Sequence, residues 1–201
     1  MKLYFSPGAC SLSPHIALCE AGLTFEAEQV DLKGKKTKSG ADFFAINPKG
    51  QVPALALDGG GVLTEGTAIV QYVADHSPGS ELAPKNGTIE RYRLQEWLSF
   101  ISTELHKGFS PLFRATTPDA YKTIGRENLA KAFKQVEGRL ARREFLLGDH
   151  FTVADGYLYV MLRWADRVEI DMTGFANLAE FKKRMEARPK IQQALKAEGL
   201  A

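Results

Sequence analysis

One cysteine raises the first chemical question. In "KLYFSPGACSLSPHIALCEAG", Cys10 follows a turn of small residues, Pro7, Gly8 and Ala9, and stands one residue before Ser11, the expected N-cap of a helix. Helix amides and the positive end of the macrodipole favour a thiolate there, and cysteines so placed fall from about 8.5 into a range of ~3.5 to 7.5. The same position also suits an inert, half-buried thiol at a turn. Cys19 shares an apolar face with Leu12 and Ile16, so its expected role is core packing. Across an intervening helix the two sulfurs' Cα atoms would stand ~13 Å apart, beyond the roughly 7 Å limit of a disulfide. Each thiol therefore needs its own explanation, and a chain with two cysteines that do not pair suits a reducing compartment.

Two further stretches carry candidate chemistry. In "NPKGQVPALAL", Pro53 opens a predicted strand, and a cis bond after Val52 would turn the Val52 N–H and C=O outward, ready to pair with an extended peptide. In "LTEGTAIV", Thr64, Glu65 and Gly66 lie where strand gives way to helix; Glu65 could hold an ammonium group while nearby amides hold a carboxylate. A structural edge proline and an acidic residue complementing the helix dipole are the plainer alternatives. Taken together, the three features describe one end of a small sheet suited to a small anionic peptide bearing a thiol.

The elements that position them are set by periodicity. "KLYFS", "FEAEQVDL", "VPALAL" and "VLT" read as strands, the last two as a hairpin around "DGGG". "CSLSPHIALCEAG", "GADFFAIN" and "EGTAIVQYVADH" read as helices, giving the order β-α-β-α-β-β-α and a mixed sheet with helices packed on it. The basic run "KGKKTK" reads as a solvated loop. After the Pro, Gly, Ser and Asn-rich "SPGSELAPKNG", every segment has helical spacing, including "IERYRLQEWLSFISTELHKGF", with Leu94, Trp97, Leu98, Ile101 and Leu105 on one stripe. Ser99, Thr103, His106 and Ser110 form a second stripe beside it. Thr117 and Pro118 mark another helix start as N-cap and first helical residue. In "FTVADGYLYVML", Thr152 and Asp155 fit a capping box, with Phe151 placed to staple onto Gly156 or Tyr157. The expected division is a domain over 1–80 and an all-helical domain over 88–201.

Bulk properties limit the function. The chain has 201 residues, 44% hydrophobic and 25% charged, as in an ordinary globular protein. A net charge of +2 without a Lys/Arg stripe argues against a nucleic-acid surface. The apolar stretch before Pro7 is too short for a signal peptide, and "GYLYVMLRWA" is too short to span a bilayer, so a cytoplasmic protein without membrane partners is expected.

"MKLYFSPGACSLSPHIAL", "NPKGQVPAL", "LTEGTAIVQYVAD", "ELHKGFSPLF" and "FTVADGYLY", in order along the whole chain, closely resemble bacterial glutathione S-transferases of the beta class. The resemblance implies an α/β plus all-α fold: a thioredoxin-like N-terminal domain and a helical-bundle C-terminal domain. It also implies a homodimer, glutathione as co-substrate, no metal, and conjugation of the glutathione thiol to hydrophobic electrophiles. On the same ground Cys10 would lie near the glutathione sulfur, able to form a mixed disulfide, and Lys35 would meet the glycine carboxylate. Val52, beside Pro53, would pair with the cysteinyl part, and Glu65 and Gly66 would bind the γ-glutamyl end. Ser99, Thr103, Glu104, Leu105, His106 and Lys107 would come from the second domain, partly across a dimer, with His106 beside Cys10 as a catalytic candidate.

The chain departs from the family pattern at Phe5, often Tyr, so a phenol role would fall to Tyr4 or be absent. Ser99 stands where some relatives have Asn, and Cys19 where Arg is frequent. Two other functions compete with conjugation: monothiol disulfide or peroxide reduction with Cys10 as nucleophile, since C-x-x-C is missing, and non-catalytic ligand binding. The electrophile is not readable from Phe5, Phe109, Phe113 and Trp164, whose helical spacing suits core packing equally well.

Overall fold

The computed structural model describes residues 1–201, which form two compact units: 1–83 together with 187–201, and 84–186. The first holds β1 (Lys2–Phe5), α1 (Leu12–Glu20), β2 (Glu26–Asp31), β3 (Lys36–Thr37), α2 (Phe43–Ile46), β4 (Ala54–Ala56), β5 (Val62–Thr64) and α3 (Gly66–Asp75). The sheet order is β3-β2-β1-β4-β5, with β1 and β2 parallel and the other pairs antiparallel. A parallel pair needs a crossover, which α1 supplies. Alternation along β1 sends Tyr4 to one face, where it packs with Val30, Phe43, Val52 and Ala54, while Phe5 meets His15 of α1 on the other. Tyr4 is therefore core, with its ring 5.9 Å from that of Phe43.

One segment departs from its expected loop. In the basic run, Lys36 and Thr37 pair with Asp31 and Val30, because Thr37 can turn inward and bond the Ala41 amide while its lysine neighbours stay in water. α9 (Pro189–Ala197), counted from sequence with the helical domain, packs in the first unit against α1. Arg188 there donates two hydrogen bonds to Glu20, at 2.7 and 2.9 Å. α3 and α9 pack on α1, and Phe5 of β1 meets its His15, so eight of its nine residues are buried, Cys19 included. Burial pushes the Cys19 thiol up to about 11, as befits core packing.

The second unit is helical: α4 (Ile89–Phe100), a π-helical segment (Ile101–His106), α5 (Lys107–Phe113), α6 (Asp119–Leu140), α7 (Val153–Arg167) and α8 (Ala176–Glu186). α6 starts one residue later than expected. Pro118 keeps an extended ψ of 144° and takes the capping position that Thr117 was expected to hold. At α7 the capping box is present, and Asp155 does more than cap. Its carboxylate accepts from Thr152 N, Thr152 Oγ1 and Leu146 N, each at 2.8 Å, and none of it is exposed. Phe151 sets its ring edge-on to Phe145 at 6.1 Å. No helix is long and apolar enough to cross a membrane.

Burial pushes the Asp155 carboxyl up to about 6 against the pull of its three donors, so the group is mostly ionised at neutral pH. Asp155→Ala leaves the buried Leu146 and Thr152 amides without partners, and a loss of roughly 2–4 kcal/mol is expected in denaturant titration.

Candidate functional site

Cys10 sits in the turn from β1 to α1, and the turn is tied by local bonds. Ser11 Oγ accepts from Ser6 N at 3.1 Å and donates to Ser6 O at 3.3 Å, and Ala9 N closes on Ser6 O. Gly8 has φ +68°, a left-handed conformation that favours glycine. Ser11 stands at the N-cap position already in helical conformation, and its side chain serves Ser6 rather than capping the helix. Leu12 N and Ser13 N bond the carbonyls of Ala9 and Cys10. The half-buried Cys10 thiol donates to Val52 O at 3.4 Å.

Val52 belongs to the loop Asn47–Pro53, on which the first unit's candidate residues converge. Asn47 is buried, and its side chain accepts from Lys49 N at 3.1 Å and donates to Gln51 O at 2.7 Å, fixing the loop from inside. The Val52–Pro53 bond is cis. Lys35, itself left-handed at φ +53°, donates its ammonium to Gly50 O at 2.8 Å. A Cβ on Gly50 would come within 2.6 Å of the Phe44 ring, so glycine is required there by space as well as by its φ of +60°. Across the loop, Lys49 Nζ meets Glu65 Oε1 at 2.7 Å and Thr64 Oγ1 at 3.0 Å. A Cβ on Gly66 would lie 3.7 Å from Pro53 Cγ, so the start of α3 rests on the proline. Cys10, Lys35, Val52, Pro53, Glu65 and Gly66 are thus all joined to one loop.

Glu65 holds φ +69° although it has a Cβ. A non-glycine residue in that region costs of order 1–3 kcal/mol and is retained where its side chain has a task. Its carboxylate is exposed and already shows that it binds an ammonium, that of Lys49. Lys49 and Asn47 belong to this cluster of contacts although sequence reasoning does not single them out. The signal for both is present in "NPKG", a short turn with an amide-bearing residue before proline.

The candidates of the second unit do not form one stripe. The π-helical segment widens the turn and rotates the residues beyond it. Thr103 Oγ1 stays with Ser99 O at 3.2 Å and meets Glu104 Oε1 at 3.0 Å, all three residues being exposed, whereas Leu105 is fully buried. His106 turns to α7, with Nδ1 2.5 Å from the Tyr157 hydroxyl and its ring 4.9 Å from Trp164. Phe109 and Phe113 continue this aromatic wall, Phe113 5.0 Å from Trp164 and 42% exposed. Burial, with Lys107 beside it, pushes the His106 imidazole down to about 4. The ring is neutral at pH 7 and can donate or accept one proton, but it brings no positive charge.

Two outcomes are expected. Because the unfolded chain takes up a proton near 6.5 that folded His106 refuses until about 4, stability falls as pH drops through that window. The loss is about 2 kcal/mol by pH 5, read as the difference between the unmodified protein and His106→Gln in denaturant titrations at pH 7.5 and 5. Glu65→Gly relieves the left-handed strain and is expected to stabilise the fold by ~0.5–1 kcal/mol, while removing the carboxylate that binds an ammonium.

Comparisons with known proteins identify the family. Residues 8–76 match the family model "Glutathione S-transferase, N-terminal domain" and residues 100–189 match "Glutathione S-transferase, C-terminal domain". The chain is 50% identical to glutathione S-transferase GstA of Escherichia coli O157:H7, over all of both chains. Among solved structures, a sphingomonad glutathione S-transferase complexed with glutathione superposes with a TM-score of 0.97 at 50% identity, covering both chains completely. A beta-class enzyme of Sphingomonas chungbukensis does so with a TM-score of 0.97 at 48% identity, again over both whole chains. The beta-class resemblance read from the motifs is borne out, and the chain belongs to the glutathione S-transferase family.

Proposed function

We propose that this chain is a glutathione transferase that lays the tripeptide along the loop Asn47–Pro53 and uses Cys10 beside its sulfur. The observation that carries the proposal is the convergence of Cys10, Lys35 and Glu65 on that loop, each through a bond of its own. The Lys35 ammonium suits the glycine carboxylate, and Val52 offers backbone groups to the cysteinyl part in the manner of an added strand. The ammonium that Lys49 gives Glu65 stands in for that of the γ-glutamyl end, whose carboxylate goes to the first amides of α3 at Gly66. The sphingomonad relative is complexed with glutathione, which supports the choice of ligand.

In conjugation, glutathione gives up its thiol proton to solvent water. The thiolate then attacks the electrophilic carbon, and the leaving group departs with its bonding pair as the C–S bond forms. Neutral His106, held by Tyr157, is the second unit's candidate for handling a proton, with Leu105 and Lys107 beside it in sequence, and the wall of Phe109, Phe113 and Trp164 is that unit's candidate surface for an apolar electrophile. Ser99, Thr103 and Glu104, exposed together, serve glutathione across a homodimer in a cytoplasmic enzyme. A second reading, monothiol exchange, is favoured by the half-buried Cys10 thiol, which forms no disulfide within the chain. Its thiolate would attack a glutathione disulfide and release one glutathione as thiolate, leaving a protein mixed disulfide.

Cys10→Ala separates the two. Conjugation of an aryl halide is expected to stay within about tenfold, since backbone and charge contacts to the tripeptide remain, while disulfide exchange falls at least 100-fold. Loss of both would make Cys10 essential to all the chemistry. Absence of glutathione binding by calorimetry in the unmodified protein would overturn the proposal in favour of a ligand-binding module.

A further inference from the structure

We propose that Glu198 is a positioning residue for the Cys10 turn, so that the C-terminal end of α9 sets how available the thiol is. Its role in catalysis rests on the assignment of Cys10 to glutathione chemistry. The Glu198 side chain is completely buried. Oε2 accepts from Gly8 N at 2.9 Å, two residues before Cys10, and Oε1 lies 2.9 Å from His15 Nδ1, one helical turn beyond it. His15 is itself buried, its ring 5.5 Å from each of Phe5 and Phe25. Leu200 completes the grip, standing 3.7 Å from where a Cβ on Gly8 would be. The turn is therefore held by the Ser6–Ser11 bonds from within and by Glu198 from a point 190 residues along the chain.

Docking α9 does not require this carboxylate. Ile191, Ala194 and Leu195 bury their side chains, and Arg188 already pairs with Glu20. Buried ionic contacts are seldom a net source of stability over apolar packing. What Glu198 adds is a fixed point on the Gly8 amide, and with it the direction in which Cys10 meets the Val52 carbonyl.

The test is Cys10 alkylation by iodoacetamide at pH 7, followed by peptide mapping to set Cys19 apart, together with glutathione KM and kcat. In Glu198→Ala the released thiol is expected to alkylate at least fivefold faster. Glutathione KM should rise at least fivefold and kcat change less than twofold. Glu198→Gln, which can still accept from Gly8 and bond His15, should restore both within twofold. Arg188→Ala loosens the same helix pair without touching the turn and should lower the unfolding temperature alone. Unchanged or slower alkylation in folded Glu198→Ala would overturn the proposal, as would an Arg188→Ala variant that reproduced its effects. Should Glu198→Ala not fold, Glu198→Asp, too short to reach both partners, is judged by the same criteria. Alkylation needs no glutathione, so a protein that fails to bind the tripeptide removes the functional assignment and leaves the positioning role still decided by this series.

Discussion

The loop Asn47–Pro53 is the constraint on which the rest of the first unit depends. Its inside is fixed by a buried asparagine that satisfies two backbone groups of the loop itself. Its outside presents the carbonyls of Gly50 and Val52, which Lys35 and Cys10 reach from β3's approach and from the start of α1. Were the loop free to move, neither the ammonium nor the thiol would have a defined place. The left-handed backbone at Lys35, Gly50 and Glu65 is the conformational cost of bringing these groups to a common edge.

Charge explains the division of labour along that edge. An anion at Glu65, a cation at Lys35 and a thiol at Cys10 meet the loop in turn at Lys49, Gly50 and Val52, so both signs of charge and the sulfur are gathered on one short stretch of backbone. Lys49 already pairs with Glu65, and because both side chains are more than half exposed the pair is weak enough for a ligand ammonium to replace it. The second unit works by different means. A neutral imidazole, held by Tyr157 and enclosed by aromatic rings, suits the handling of a proton in apolar surroundings.

Local signals made most of the elements legible. Strand alternation, the Gly-rich hairpin, the proline at position 53 and the Thr152–Asp155 box each act within a few residues, and each is found where the sequence put it. What escaped depends on partners distant in the chain. The orientation of the Cys10 thiol is decided by Val52, and the burial of Glu198 by Gly8 and His15, neither of which any periodicity encodes. The break in the Ser99, Thr103, His106 stripe has another cause. A π-helical turn inserts its extra width without a proline or glycine to announce it, so a constant helical repeat carried His106 to the wrong face. Thr37, read as part of a solvated loop, was hidden among lysines whose charge dominates the composition of that run.

The central claim is that the tripeptide lies on the loop of the first unit, paired with Val52 and with the start of α3. Amide chemical shifts of nitrogen-15-labelled protein titrated with reduced glutathione test this most directly. Saturable shifts concentrated at Val52 and Gly66, with Cys10 among them, are the predicted result. Saturable binding that leaves those amides unmoved and perturbs others would contradict the account.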